Sequence, residues 1–154
     1  MKGLFAVLLM FLVASPCLSI RIISDANPNF NVVDYGARGD GQSDDSAAFV
    51  KVWEDVCRAT EGTPTLPIPQ GKRFLLQPVE FKGACNSTSI IVELQGDLVV
   101  PNSMEAWKWA DNDKGKRWIR FSRINGLFVN GGGQIDGQGA AWWNYSNSQR
   151  PVVC

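Results

Sequence analysis

Apolar positions in this chain come in short runs with two different periods. Phe49, Val52, Trp53, Val56 and Cys57 recur at the three-and-four spacing of one helix face. Asp44 and Asp45 would stand in the first turn of that helix, where carboxylates favour the dipole, Arg58 would stand near its end, and Gly62 stops it. The pattern predicts one amphipathic helix from about Asp44 to Ala59. Everywhere else the runs are too brief for helices and are bounded by Gly, Pro, Asn or Asp, which predicts strands. They are Val32-Val33 with Tyr35, Phe74 to Leu76, Val79 to Phe81, Ile90 to Leu94, Leu98 to Val100, Leu127 to Val129 and a run around Ile135. Pro64, Pro67 and Pro69 exclude helix and central strand between them. Gly36, Gly39 and Gly41 mark a turn-dense loop, and Ile20 to Asn29 reads as a loose leader.

The stretch Ile124 to Trp143 organises the rest. Two apolar runs are separated by Gly131, Gly132 and Gly133, which can take positive φ without steric cost, and Asp136-Gly137 and Gly139 follow at once. A hairpin needs only one such permissive pair, so the pattern predicts a chain that turns corners repeatedly in the same sense, as stacked coils of a β-solenoid do. A lone amphipathic helix ahead of short strands suits a cap, because the first coil otherwise exposes its apolar end and unpaired strand groups. A helix packed on one sheet of an α+β fold is the alternative. No repeat of fixed period is visible, which a parallel β-helix tolerates because each coil needs only inward apolar residues and bends. Ser103 to Arg117, with Trp107 and Trp109, reads as a longer loop on the barrel side. Whether its indoles line a groove or pack into the loop's own core stays open at this level.

Two blocks carry a family resemblance. Gly132-Gly133-Gln134-Ile135-Asp136-Gly137-Gln138-Gly139 followed by Trp142-Trp143, with Trp118-Ile119-Arg120-Phe121 upstream, resembles an early rung of the plant polygalacturonases, glycoside hydrolase family 28. Phe30 to Gly41, running into Asp44-Asp45, resembles the N-terminal cap of that family, a block shared more widely among pectin-active proteins. The resemblance implies an all-β, right-handed parallel β-helix of the pectate-lyase type, here its N-terminal coils with an amphipathic cap helix. It implies a secreted, monomeric cell-wall enzyme that hydrolyses the α-1,4-galacturonosidic bonds of pectin or polygalacturonate with inversion and without a cofactor.

The family's chemistry does not map onto these residues. An inverting glycosidase uses one carboxylic acid to protonate the leaving oxygen and one carboxylate to activate water, about 6.5–9.5 Å apart. In the family these lie in an Asn-Thr-Asp motif and an Asp-Asp pair, followed by a Gly-His-Gly and an Arg-Ile-Lys. This chain has no histidine and no Asn-Thr-Asp, and its single Asp-Asp, Asp44-Asp45, falls at the predicted cap helix. Arg123-Ile124-Asn125 imitates the basic motif but ends in Asn and lies too early. Asp136, before Gly at a bend, reads as a turn residue that bonds its own backbone. No catalytic residue is therefore assigned. No metal site is assigned either: histidine is absent, the cysteines are too far apart for zinc, and Asp111 with Asp113 reads as a solvated loop. Gly131 to Gly133 lacks the following helix of a phosphate cradle, so no cofactor site is assigned.

Composition adds the compartment. With 154 residues, 45% apolar and 19% charged, the chain is long enough for one folded domain. Fifteen basic and fifteen acidic residues cancel, so bulk charge points neither to nucleic acid nor to anionic lipid. Lys2, the apolar run Leu4 to Val13 and the small residues up to Ser19 read as a secretory signal; the run is shorter than the roughly 20 residues that span a bilayer, so no membrane association is expected after cleavage. Residues 1–19 are then the signal, 20–29 the leader, and 30–154 the N-terminal part of the β-helix domain. Export permits a disulfide, and Cys57 with Cys85 is the natural pair because they end neighbouring elements. Cys154 is left with no partner, and Arg150-Pro151-Val152-Val153-Cys154 starts an apolar run that stops, which reads as a truncated chain or incomplete gene. Asn86 in Asn-Ser-Thr and Asn144 in Asn-Tyr-Ser are N-glycan acceptors. A truncated, non-catalytic polysaccharide-binding protein and a related rhamnogalacturonan hydrolase or lyase are the competing functions.

Overall fold

The computed structural model describes residues 27–103, 105–109 and 117–140. The expected signal Met1–Ser19 and the positions Cys17, Asp111, Asp113, Trp142, Trp143, Asn144 and Cys154 lie outside the described residues. In chain order the elements are a 3-10 turn (Val32–Tyr35), β1 (Asp40–Asp44), α1 (Ser46–Arg58), β2 (Thr65–Ile68), β3 (Arg73–Leu75), β4 (Val79–Lys82), β5 (Ile90–Leu94), β6 (Asp97–Val99), β7 (Ile119–Ser122), β8 (Leu127–Asn130) and β9 (Ile135–Asp136).

The strands form three sheets, β1-β3-β6-β9, β2-β5-β8 and β4-β7, and every pairing is parallel. After α1 the chain visits the sheets in rotation. β2, β3 and β4 start one strand in each; β5, β6 and β7 pair beside them in the same order; β8 and β9 begin the next round. Parallel strands cannot be joined by a tight hairpin, and from β2 onward the chain returns to a sheet only after passing through the other two.

Register follows from the side-chain alternation. Leu66, Val92 and Val129 are aligned across β2, β5 and β8, Phe74, Leu98 and Ile135 across β3, β6 and β9, and Phe81 and Phe121 across β4 and β7. A slip of one residue would turn each stack outward, so the apolar pattern holds the register. The bends add a second constraint. A Cβ at Gly133 would come within 2.1 Å of the Gly96 carbonyl oxygen, and one at Gly126 within 2.0 Å of the Thr88 oxygen, so these bends stack backbone on backbone. Within the triple glycine only Gly131 uses positive φ, at 121°; Gly133 is required by close approach instead.

Helix α1 buries Phe49, Val52, Trp53 and Val56 as its periodicity predicts. Phe49 meets Phe74 edge-on with ring centroids 5.4 Å apart, and Trp53 packs on Phe81 at 5.3 Å and on Phe121 at 5.6 Å. Full burial of such a side chain stabilises by about 1.5–3 kcal/mol. The indole Nε1 of Trp53 donates to the Lys82 carbonyl at 3.2 Å, which satisfies the ring's one polar atom.

Four local expectations change. Val32–Tyr35 is a 3-10 turn rather than a strand, because Asn31 accepts the Val33 N–H and Gly36, at φ 95°, closes it onto the Val32 and Val33 carbonyls. The glycine-rich stretch behind it forms β1, which pairs with β3. The helix starts at Ser46, so Asp44 ends β1 and Asp45 sits at the N-cap with its side chain making no bond to the first turn. The end of the leader is tied down: the Thr65 N–H donates to the Pro28 carbonyl at 2.8 Å and the Thr63 N–H to Asn27 at 3.0 Å. Pro67 sits inside β2, which has one strand neighbour, so its missing N–H costs no ladder bond there.

Candidate functional site

Carboxylates are the first places to look for glycosidase chemistry, and four of them, Asp40, Asp44, Asp45 and Asp136, accept backbone N–H groups and hold turns. Asp45 is buried, and its two oxygens accept the N–H groups of Arg38 at 2.7 Å and Gly39 at 3.1 Å, which fixes the turn ahead of β1. Asp40 accepts from Gln42, from Ser43 N–H and from the Ser43 hydroxyl, and these bonds hold its carboxyl down at about 2. Burial pushes the Asp44 carboxyl up, but the Ser46 hydroxyl and N–H and the Lys108 ammonium outweigh it and leave it below the usual range. Asp136 accepts the N–H of Gln138 two residues on, at 2.8 Å, which is the Asx bond of a turn.

On the outward face of β4 and β7, Glu80 stands opposite Arg120 and Lys82 opposite Ser122. The Ser122 hydroxyl donates to Glu80, and Arg120 lies 3.6 Å away, so the Glu80 carboxyl is also lowered. A general acid needs its pKa raised toward the working pH. Asp40, Asp44 and Glu80 all move the other way. Arg123-Ile124-Asn125 forms the bend between β7 and β8, with Arg123 at φ 57°. Among the described residues no group of three or more His, Cys, Asp or Glu is placed to hold a metal.

The segment between β6 and β7 is positioned by two long-range clamps that periodicity cannot reveal. Buried Gln77 donates through Nε2 to the Ala106 carbonyl at 3.0 Å and accepts the Lys108 N–H at 2.9 Å. Lys108 reaches Asp44 at 3.2 Å. Held this way, Trp107 and Trp109 stack with centroids 4.8 Å apart and an interplanar angle of 13°, and Trp107 meets Trp118 edge-on at 6.5 Å. Trp118 in turn donates to the Leu76 carbonyl at 3.0 Å. The cluster thus sits where β4 and β7 begin, and both indoles of the pair are half-buried.

Cys57, in the last turn of α1, is disulfide-bonded to Cys85 after β4. Next to it, exposed Asn86 donates its backbone N–H to the Cys57 carbonyl at 2.9 Å and its side-chain amide to the Arg58 carbonyl at 3.0 Å. Together they close the C-terminal end of the helix.

Residues 57–152 match the sequence model of the glycosyl hydrolases family 28. The chain belongs to glycosyl hydrolase family 28. A "probable polygalacturonase" of Arabidopsis thaliana is 43% identical over 134 residues, which is 87% of this chain and 28% of that protein. A polygalacturonase of Persea americana is 37% identical over 118 residues, 77% of this chain and 24% of the relative. Polygalacturonase-2 of Solanum lycopersicum is 37% identical over 114 residues, 73% and 23% respectively. The chain therefore spans about a quarter of the length of the curated relatives it matches. The three parallel sheets with one helix are consistent with that family's architecture. No helix among the described residues is long and apolar enough to cross a membrane.

Proposed function

We propose that this chain is the N-terminal part of a secreted polygalacturonase, an extracellular cell-wall enzyme that hydrolyses α-1,4-galacturonosidic bonds of pectin with inversion. The observation that carries the reading is the 43% identity over 87% of the chain to the "probable polygalacturonase" of Arabidopsis thaliana. In this reading the rotating visits to three parallel sheets are coils of a right-handed parallel β-helix, and α1 caps its first coil. Residues 1–19 are the secretory signal, 20–29 the leader, and 30–154 the first coils of a monomeric enzyme. Asn86 and Asn144 carry N-glycans; loss of mass on treatment with a glycan-removing amidase checks both.

The acid and base of the reaction belong to coils that these 154 residues do not include. The support is chemical: the chain has no histidine and none of the family's aspartate motifs, while its relatives are about three times as long. A reducing-end assay on polygalacturonate tests this. The 154-residue chain releases no reducing sugar, and a protein extended through the downstream coding sequence releases it with inversion at the anomeric carbon. Activity in the short chain would mean that the active site has been misplaced. Inactivity in a folded long form would favour a non-catalytic polysaccharide-binding protein, the reading that the missing motifs support on their own.

A further inference from the structure

Asn86 is at once the acceptor of an Asn-Ser-Thr site and the residue that closes the end of α1. The last carbonyls of a helix have no partner within it, and here Asn86 takes two of them. Its backbone N–H donates to the Cys57 carbonyl at 2.9 Å. Its side-chain Nδ2, the atom to which an N-glycan is attached, donates to the Arg58 carbonyl at 3.0 Å. One residue earlier Cys85 is bridged to Cys57, so the same helix end is also tied covalently. The rest of the site is held as well. The Ser87 hydroxyl donates to the Ser89 carbonyl at 2.8 Å and accepts the Ser89 N–H at 3.2 Å. The Thr88 carbonyl lies against Gly126, where a Cβ would come within 2.0 Å of it. Asn86 and Thr88 are nonetheless exposed, which leaves room for a glycan. What the bridged fold withholds is the freedom of residues 86–88 to leave the helix end and enter a second active site.

We propose that Asn86 accepts its glycan only while Cys57 and Cys85 are still thiols, and that the bridge then shuts the site with the glycan outside. That the chain meets a transferase in the cell rests on the secretory reading above; the geometry does not. In the transfer, C1 of the sugar parts from the pyrophosphate of a lipid-linked oligosaccharide and bonds to Nδ2, which gives up one of its two hydrogens as a proton. The nitrogen must turn toward that donor, so its bond to Arg58 has to open and residues 86–88 have to swing clear. Without the bridge this is a local opening of one loop against a helix end. With it, Cys85 stays at Cys57, and the opening must include the last turn of α1, whose Val56 is buried in the core. After transfer Nδ2 keeps one hydrogen, enough to donate to the Arg58 carbonyl again. Glycan and helix cap therefore coexist in the finished fold, and only the order of the two events is fixed.

Glycan transfer onto purified chains tests the order. The 154-residue chain with Asn144→Gln, which leaves Asn86 as its one Asn-X-Ser/Thr site, is made without glycans and presented to a purified oligosaccharyl transferase with its lipid-linked donor. Mass spectrometry follows the sugar gained at Asn86. The bridged chain should react about tenfold or more slowly than the same chain with Cys57→Ser and Cys85→Ser, because the bridge restricts the opened state. Reduction with dithiothreitol should bring the bridged chain up to the faster rate. A peptide of residues 82–91 with Cys85→Ser gives the rate of the free site. A bridged chain that reacts as fast as the double variant or the peptide overturns the inference. A peptide that accepts no sugar overturns it too, since the sequence rather than the fold would then close the site. Protein secreted from a eukaryotic host supplies a measurement that does not depend on how well the double variant folds. Non-reducing peptide mapping should recover Asn86 with its glycan on a fragment linked through Cys85 to Cys57. Glycans found only on molecules that lack the bridge would mean that the two events exclude each other, which also overturns the inference. A chain that takes up sugar in the purified reaction but that cells never export would sink the secretory reading and leave this one standing.

Discussion

The side of the molecule under α1 and the side formed by β7, β8 and β9 are built from the same residue types in the same register, yet their burial differs. Phe81, Val92 and Leu98 expose 4%, 4% and 6% of their surface; their partners on the next strands, Phe121, Val129 and Ile135, expose 38%, 52% and 57%. Nothing in the local sequence separates the two sets. What differs is the layer above. On one side α1 and the preceding strands cover the stack, and on the other no described residue does. In an architecture that adds one strand to each sheet per round, an inward side chain gains its stability from the next round rather than from its own element.

Paired truncations within one stack break or sharpen that comparison most directly. Phe74 and Ile135 lie in the same stack, with Leu98 between them. Phe74 is fully buried, so Phe74→Ala should cost about 3–5 kcal/mol, the range for emptying an aromatic site in a core. Ile135→Ala should cost under about 1 kcal/mol, since most of its surface already meets solvent. Urea unfolding of the two variants gives the answer. Equal costs would mean that Ile135 is covered in solution.

The next effects anchor the α1 side. The Cys57–Cys85 bridge closes a loop with a sequence separation of 28, for which the chain-entropy account gives about 3–4 kcal/mol. Cys57→Ser with Cys85→Ser should lose that much, and non-reducing peptide mapping of the parent should recover both cysteines in one linked pair. Asp45→Asn keeps an acceptor for one of the two N–H groups of Arg38 and Gly39 but turns a donor toward the other, which costs about 1–3 kcal/mol at a buried site. If the variant melts like the parent, the turn is held by something other than this carboxylate.

The helix and most strands were legible because each is a local pattern. Phe49, Val52, Trp53 and Val56 mark one face, and the alternation in Val79–Lys82 and Ile90–Leu94 marks one side of a strand. Val32–Tyr35 was misread because a pair of valines and a tyrosine suits a short strand as well as a 3-10 turn, and the deciding bond is a side chain on Asn31. Asp44 and Asp45 shifted out of the helix for a similar reason: Asp45 turns back to a loop six and seven residues earlier. The division into three sheets is not legible in the sequence, since it depends on bends stacking between successive strands of a sheet, Gly96 under Gly133 among them. At the candidate site the gap is wider. Gln77 meets Lys108 across 31 residues and Lys108 meets Asp44 across 64, distances at which no periodicity operates.

The smallest expected effect is one of acidity, and it again belongs to the α1 side. Asp40 accepts three hydrogen bonds from Gln42 and Ser43 just before the helix, and they move its carboxyl from an ordinary 3.8 to about 2. In the unfolded chain those bonds are gone, so as pH falls the unfolded state takes up this proton first. A depressed carboxyl contributes stability that is fully present above about pH 4 and is lost as pH drops toward 2. The site is fully exposed, so solvent and salt keep the contribution small. Asp40→Asn should flatten the fall in urea midpoint between pH 4 and pH 2, and a residual slope should persist from Asp44 and Glu80, whose carboxyls are also lowered. An unchanged slope in the variant would show that the Asp40 turn opens in solution and that the α1 side is held without it.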